Sequence, residues 1–245
     1  MPETPTNTLE ACQAQPDSTV IAPVWHTAGL LLILGLITLV MSMLGVHRMG
    51  QAETRMTGYL ITMTIEWAMV AYIALGVRWK GPSLLALTGR NLLSLRSIAL
   101  DLGLAVAYLI AANIVLGVLG FILGHIVHSS PDKAILNLLP HSAPEMIVWV
   151  LLSLTAGICE ELIFRGYLQR QFTVWTGNAA AGIALQGIVF GVAHAYQGPS
   201  KIIIITVFGC MFGSLAWWRK SLRPGMAAHF LQDGISGVMM ARFAK

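Results

Sequence analysis

An all-α, polytopic transmembrane helix bundle is the fold class this sequence predicts, on three observations. Hydrophobic residues make up 56% of the 245 positions and charged residues only 11%, against roughly 25% charged in a soluble domain. The apolar residues fall in continuous runs of the length that crosses a bilayer, about 17 to 25 residues. Those runs are rich in Leu, Ile and Ala and lack the apolar/polar alternation of outer-membrane barrel strands.

The runs start near Val24, Thr57, Ile98, Pro144, Asn178, Ile202 and Leu222, which predicts about seven spans. Before them, residues 1–23 are polar, carry Glu3, Glu10 and Asp17, and lack the basic segment of a cleaved secretory signal. A retained first helix is therefore expected. Longer polar interruptions fall only at residues 47–56, 78–97 and 128–143, and no internal repeat is visible, so residues 24–245 read as a single transmembrane domain.

Composition also excludes several functions. Cys12, Cys159 and Cys210 are odd in number and show no CxxC pairing, so neither a disulfide framework nor a zinc ribbon is indicated. The net charge of +4 resides in basic residues beside apolar runs, without a patch of interleaved aromatics. They mark topology and not a nucleic-acid surface, and the lipid bilayer is the expected surrounding partner. Oligomeric state is not legible.

Arg78, Lys80, Arg90 and Arg96 interrupt the chain with no acidic residue among them, whereas "HSSPDKAILNLLPHSAPE" is nearly balanced. The positive-inside rule places the first loop in the cytoplasm and the second outside. Counting forward brings Arg165 and Arg170, then Arg219, Lys220 and Arg223, to the inner side as well. Counting back puts the N-terminus inside. Because basic clusters flank the segments that carry the candidate site, that site is expected to open to the cytoplasm.

Glycines recur at spacing four in "GFILG" (Gly120, Gly124), "GIVFG" (Gly187, Gly191) and "GCMFG" (Gly209, Gly213). Such pairs let helix backbones approach closely. They predict a packed bundle and no chemistry.

Ionisable groups inside these runs need a partner or a purpose, since a charged side chain at mid-membrane costs about 2.5 to 3.5 kcal/mol on insertion scales. In "GICEELIFRGYLQRQF", Glu161 and Arg165 stand at i, i+4, so on an α-helix they share a face and can pair. Glu160 points about 100° away and is less well neutralised. It is either part of a structural charge network or a poorly solvated carboxylate poised as a general base.

In "FGVAHAYQG", Phe190 and His194 stack at i, i+4, and "GMAAHFLQDG" places His229 and Asp233 at the same spacing. Each histidine alone reads as well as a hydrogen-bonded packing residue. Together, a base-like glutamate and two histidines from three helices can converge on one water molecule. Glu66 and Asp101 are also intramembrane, either lining the same cavity or facing a partner helix, and neither is assigned a catalytic role.

These stretches resemble the CAAX protease and bacteriocin-processing family of intramembrane glutamic endopeptidases, also called the Abi family. "EELIFRGYL" matches its EExxxR motif, "FGVAH" its FxxxH, and "HFLQD" its HxxxN or HxxxD position. The resemblance covers roughly residues 144–240, the expected catalytic core. It implies that Glu160 with His194 activates a water for attack on a peptide carbonyl. It implies further that Glu161 and Arg165 support them, and that His229 positions substrate or stabilises the oxyanion. Phe190 belongs to the supporting set.

Asp233 departs from the asparagine of the family's prenyl-protein proteases. An ionised carboxylate cannot donate to an oxyanion, so Asp233 is either protonated or orients His229, and the second is preferred.

The resemblance implies metal-independent hydrolysis without a cofactor. Two histidines and a carboxylate are also a reasonable zinc set, but HExxH is absent, and zinc stands as a third reading. A thiol nucleophile at Cys159 has no histidine beside it in sequence. The implied substrate is a membrane-associated peptide or protein, and the implied location is the inner membrane of a prokaryote. A non-enzymatic immunity factor or scaffold is the alternative from a different class.

Depth poses a further requirement, because Glu160 runs toward the inner side and His194 toward the outer. A long fourth helix reaching about Phe172, with a turn at "TVWTGN", would bring the two to one level.

Overall fold

The computed structural model describes residues 20–44, 52–80, 83–89, 94–126 and 138–243. Most of the polar N-terminal tail and most of the loop expected outside therefore lie beyond the described residues. Helices dominate: α1 (Val24–Leu44), α2 (Ala52–Arg78), a single turn α3 (Leu84–Leu87), α4 (Leu95–Ile126) and α5 (Ala143–Glu160). A π-helical segment (Glu161–Leu168) follows, then α6 (Gln169–Thr176), α7 (Ala179–Ala193), a 3₁₀ turn (Ala195–Gln197), α8 (Pro199–Arg219) and α9 (Arg223–Phe243). No strand occurs among the described residues, only one isolated bridge between Gly89 and Ser221.

The chain is an integral membrane protein. Among the described residues, five stretches are long and apolar enough to cross a bilayer: Val24–Met43, Arg55–Arg78, Leu95–His125, Ala143–Thr176 and Pro199–Arg219. Each of the seven expected runs forms a helix, and two of them, α7 and α9, fall outside these five stretches. α7 is apolar but has only 15 residues, about 22 Å at 1.5 Å per residue, shorter than the roughly 30 Å hydrocarbon layer. α9 has the length but is diluted by Arg223, His229, Gln232 and Asp233.

Local signals explain the breaks. Ser142 caps α5 in a capping box with Glu145, and Pro144 occupies its first turn. Glu145 also holds Arg55 at 3.2 Å, tying α2 to α5. Gly177, at φ 64°, ends α6 in the left-handed conformation, and Asn178 Oδ1 accepts from the amides of Ala180 (2.8 Å) and Ala181 (3.1 Å) to start α7. The fourth span therefore continues past Phe172 to Thr176, and the turn falls within "TVWTGN".

α5 packs against α2 and α9, and α7 lies between α6 and α8. α4 sits at the edge against α8 and α9, with Leu102, Val106, Ile110, Ile114 and Phe121 exposed, as a lipid-facing helix requires. Two of the three glycine pairs serve close packing. A Cβ on Gly209 would meet Gly187 Cα at 3.0 Å, and one on Gly191 would strike the Thr206 hydroxyl. Among the described residues a Cβ on Gly124 would meet nothing within 4 Å and one on Gly120 only a methyl of Ile204 at 3.9 Å, so that pair does not pack against them. The edge position of α4 is the reason.

One end of the bundle gathers Arg78, Arg170, Arg219, Lys220 and Arg223. There Arg170 Nη2 donates to Leu87 O (2.8 Å), and Asp101 is clamped by Arg219 (2.9 Å) and Arg223 (2.8 Å). Asp101 is thus a structural anchor remote from the cavity described next.

Candidate active site

The motif "EELIFRGYL" does not stay α-helical. From Glu161 to Leu168 the backbone is a π-helix, and all eight residues are buried. A π turn is wider than an α turn, so the expected rotation of about 100° per residue does not apply here, and π segments recur at functional sites. The Glu161–Arg165 pair survives this change. Arg165 Nη1 lies 2.9 Å from Glu161 Oε1, and both side chains are fully buried.

Arg165 is held from several sides. Its guanidinium stacks 4.4 Å from the Phe190 ring centre and 5.2 Å from that of Phe212, a favourable cation–π geometry. Glu161 is in turn pressed by α9, since a Cβ on Gly225 would approach its Oε2 to 2.8 Å. Only glycine fits there.

Glu161 also reaches His229, with Oε1 3.2 Å from Nδ1. The other ring nitrogen of His229, Nε2, faces Glu160 Oε2 at 3.6 Å and Asp233 Oδ2 at 3.5 Å. One imidazole thus stands among three carboxylates, enclosed by Phe190, Phe208 and Phe212 at ring distances of 6.2, 6.0 and 5.6 Å. Asp233 lies within reach of His229, as the i, i+4 spacing expects, and shares the ring with Glu161. Glu161 takes the Nδ1 position, because the π segment turns it toward α9, and Asp233 occupies the Nε2 side with its side chain 37% exposed.

His194 stands where α7 ends, at φ −101° and ψ 16°, the sparsely populated bridge region in which active-site residues are often found. Its Nδ1 lies 2.8 Å from Phe190 O. A carbonyl oxygen only accepts, so Nδ1 carries the proton and Nε2 of the neutral ring is left as an acceptor. Phe190 also packs edge-on against the His194 ring at 4.8 Å. No hydrogen bond or ion pair joins His194 to Glu160, Glu161, His229 or Asp233.

What unites them is a cavity of about 450 Å³, lined by Glu160, His194, His229 and Asp233. Its walls include Leu152, Ala156, Phe190 and Phe208, and Glu66 projects into it from α2. From Glu160 it extends toward Tyr59, Leu138, Leu139 and Gly237. That is the end of the bundle opposite Arg170, Arg219 and Arg223. The cavity and the basic clusters thus lie at opposite ends, which on the positive-inside rule runs against the expected cytoplasmic mouth.

Cys159 is fully buried and does not line the cavity. Among the described residues, no three His, Cys, Asp or Glu side chains are grouped as a metal site requires. Phe208, Phe212 and Gly225 were not legible as site residues in sequence. Glu66 was marked by its intramembrane charge, and of its two readings the structure gives the first, a place in the cavity lining.

Residues 141–235 match the family model of Rce1-like, type II CAAX prenyl endopeptidases. Among curated proteins, "Uncharacterized protein YpbD" of Bacillus subtilis is 28% identical over 89 residues, covering 35% of this chain and 42% of that protein. The chain therefore matches less than half the length of that relative. No solved structure matches the chain. The matched family is one of proteases, and the matched stretch spans both glutamates, both histidines, Arg165, Phe190 and Asp233. Over residues 141–235, less than half of its length, the chain is similar to the Rce1-like type II CAAX prenyl endopeptidases.

Proposed function

We propose that this protein is an intramembrane endopeptidase that hydrolyses a peptide bond of a membrane-associated protein or peptide, with Glu160 as the base that activates water. One observation carries the reading. Of two adjacent glutamates, Glu161 is committed to Arg165 and His229, while Glu160 lines the cavity with no arginine or lysine of the described residues within 4 Å.

In this mechanism Glu160 takes a proton from water as the oxygen bonds to the carbonyl carbon, and the C=O π electrons move onto the carbonyl oxygen. His194 Nε2 accepts a hydrogen bond from the same water and aligns it. His229, with carboxylates at both nitrogens, is favoured as the doubly protonated ring and donates to the oxyanion. Collapse breaks the C–N bond, and the proton held by Glu160 passes to the leaving nitrogen. Phe190 positions His194 through its carbonyl and Arg165 through its ring.

The reaction is proposed to run without a metal or cofactor. Support comes from the donor geometry, in which His194 stands apart from the His229 cluster. Chelator treatment of purified protein, with loss of activity and zinc-specific rescue, would reverse this. The proposed location is the inner membrane of a prokaryote.

The deciding experiment compares protein N- and C-termini in membranes of cells expressing wild-type chain, Glu160→Gln or His194→Ala. New termini with wild type alone are expected and would name the substrate. Identical termini in all three, with both variants stably inserted, would favour a binding or immunity function.

A further inference from the structure

Glu66 is the buried acid without a hydrogen bond or ion pair among the described residues. Its side chain is 5% exposed, and Oε2 is fully enclosed without a hydrogen-bond partner. The other buried acids are paired: Asp101 with Arg219 and Arg223, Glu145 with Arg55, and Glu161 with Arg165. Glu66 has no basic side chain within 4 Å among the described residues. An unpaired buried carboxylate is unfavourable unless a ligand or a proton completes it.

The surroundings sharpen this. Glu66 lines the same cavity as Glu160, His229 and Asp233, and it lies within electrostatic range of all three. Among the described residues Lys201 is the sole lysine or arginine on the cavity wall, and with the His229 imidazolium it leaves the three carboxylates one negative charge in excess. Three carboxylates thus face a space whose remaining walls are largely apolar, including Leu152, Ala156, Ile205 and Phe208. A ligand suited to such a space carries a cationic head on an aliphatic stem. The head donates charge-assisted hydrogen bonds and offsets the acidic excess, while the stem packs on the apolar walls.

We propose that Glu66 is a specificity-determining residue, accepting hydrogen bonds from a lysine or arginine side chain of the substrate held near Glu160. This rests on the endopeptidase reading for the word substrate alone, because the cation preference is measurable as binding. A neutral donor would satisfy Oε2 but leave the charge of the cavity uncompensated. Glu66 lies outside the matched residues 141–235, so the preference belongs to this chain's own α2.

The test uses the full chain carrying Glu160→Gln in phosphatidylcholine nanodiscs, with empty nanodiscs as the blank. The probes are mixtures of apolar peptides, acetylated and amidated at their ends, with a single fixed central residue: lysine, arginine, norleucine or glutamate. Retention is read by mass spectrometry. Lysine and arginine peptides are expected to be retained about ten- to a hundredfold over norleucine, the range of a hydrogen bond to a charged group. Glutamate peptides are expected to be the least retained.

Adding Glu66→Gln should bring the lysine-to-norleucine ratio to about one, and Glu66→Asp should leave an intermediate ratio. Equal retention of lysine and norleucine, or a preference that survives Glu66→Gln, would overturn the proposal. The first of these comparisons needs no Glu66 variant to fold. A lysine preference in a protein that cleaves nothing would retire the endopeptidase reading and keep Glu66 as a cation site. Cleavage by wild type without that preference would do the reverse.

Discussion

Glu161 and His229, 68 residues apart in sequence, meet at 3.2 Å between Oε1 and Nδ1, and the same Glu161 oxygen lies 2.9 Å from Arg165 Nη1. The second glutamate of the pair is therefore a hub that fixes both a buried cation and a histidine. This division of labour leaves Glu160 to the cavity.

Glu161→Gln is expected to destabilise the protein by about 3 to 5 kcal/mol, because it strands a buried guanidinium. Thermal unfolding in detergent reads this as a lowered Tm. The double replacement Glu161→Leu with Arg165→Leu should recover part of the stability and none of the activity, since His229 loses its anchor. A Gln variant as stable as wild type would show that Arg165 draws its compensation from Phe190 and Phe212 instead.

Glu160→Gln keeps shape and removes the base. With a cleaved substrate in hand, kcat should fall by about two to four orders of magnitude, with Tm unchanged. His194→Ala should fall in the same range. Retained turnover in Glu160→Gln would transfer the base role to another cavity carboxylate, with Glu66 the nearest candidate in α2.

Asp233→Asn is expected to keep activity within about tenfold, since a partly exposed charge pair contributes only about 0.2 to 1 kcal/mol. Its contact with His229 Nε2 is long, at 3.5 Å. A loss beyond a hundredfold in steady-state assays would restore Asp233 as an essential carboxylate.

Gly225→Ala should lower stability by about 1 to 3 kcal/mol through overpacking, because the new methyl would lie 2.8 Å from Glu161 Oε2. Gly157→Ala, whose Cβ would meet Met226 O at 2.9 Å, should behave likewise. Both test the close approach of α9 to the fourth span, and unchanged melting curves would refute it.

Cysteine labelling settles the sidedness of the cavity. In a background lacking native cysteines, Gln197→Cys at the cavity end should react with a membrane-impermeant maleimide from the outer face. Lys220→Cys at the basic end should react only after permeabilisation. The reverse pattern would make this protein an exception to the positive-inside rule.

By itself the sequence determined the environment and the ingredients. Its continuous apolar runs require helices, because only those satisfy every backbone group within lipid, and the charges that interrupt them marked Glu160, Glu161, Arg165, His194, His229 and Asp233 as needing a purpose. Caps and breakers such as Ser142, Gly177 and Asn178 placed the helix ends, since these act through neighbouring residues. Tertiary structure alone decided which carboxylate meets which partner. The π turn rotates Glu161 toward Gly225 and His229, the break at His194 directs its ring into the cavity, and Glu66 enters from a distant helix. None of these follows a fixed spacing, because each depends on contacts between segments whose relative placement is set by packing of the whole bundle.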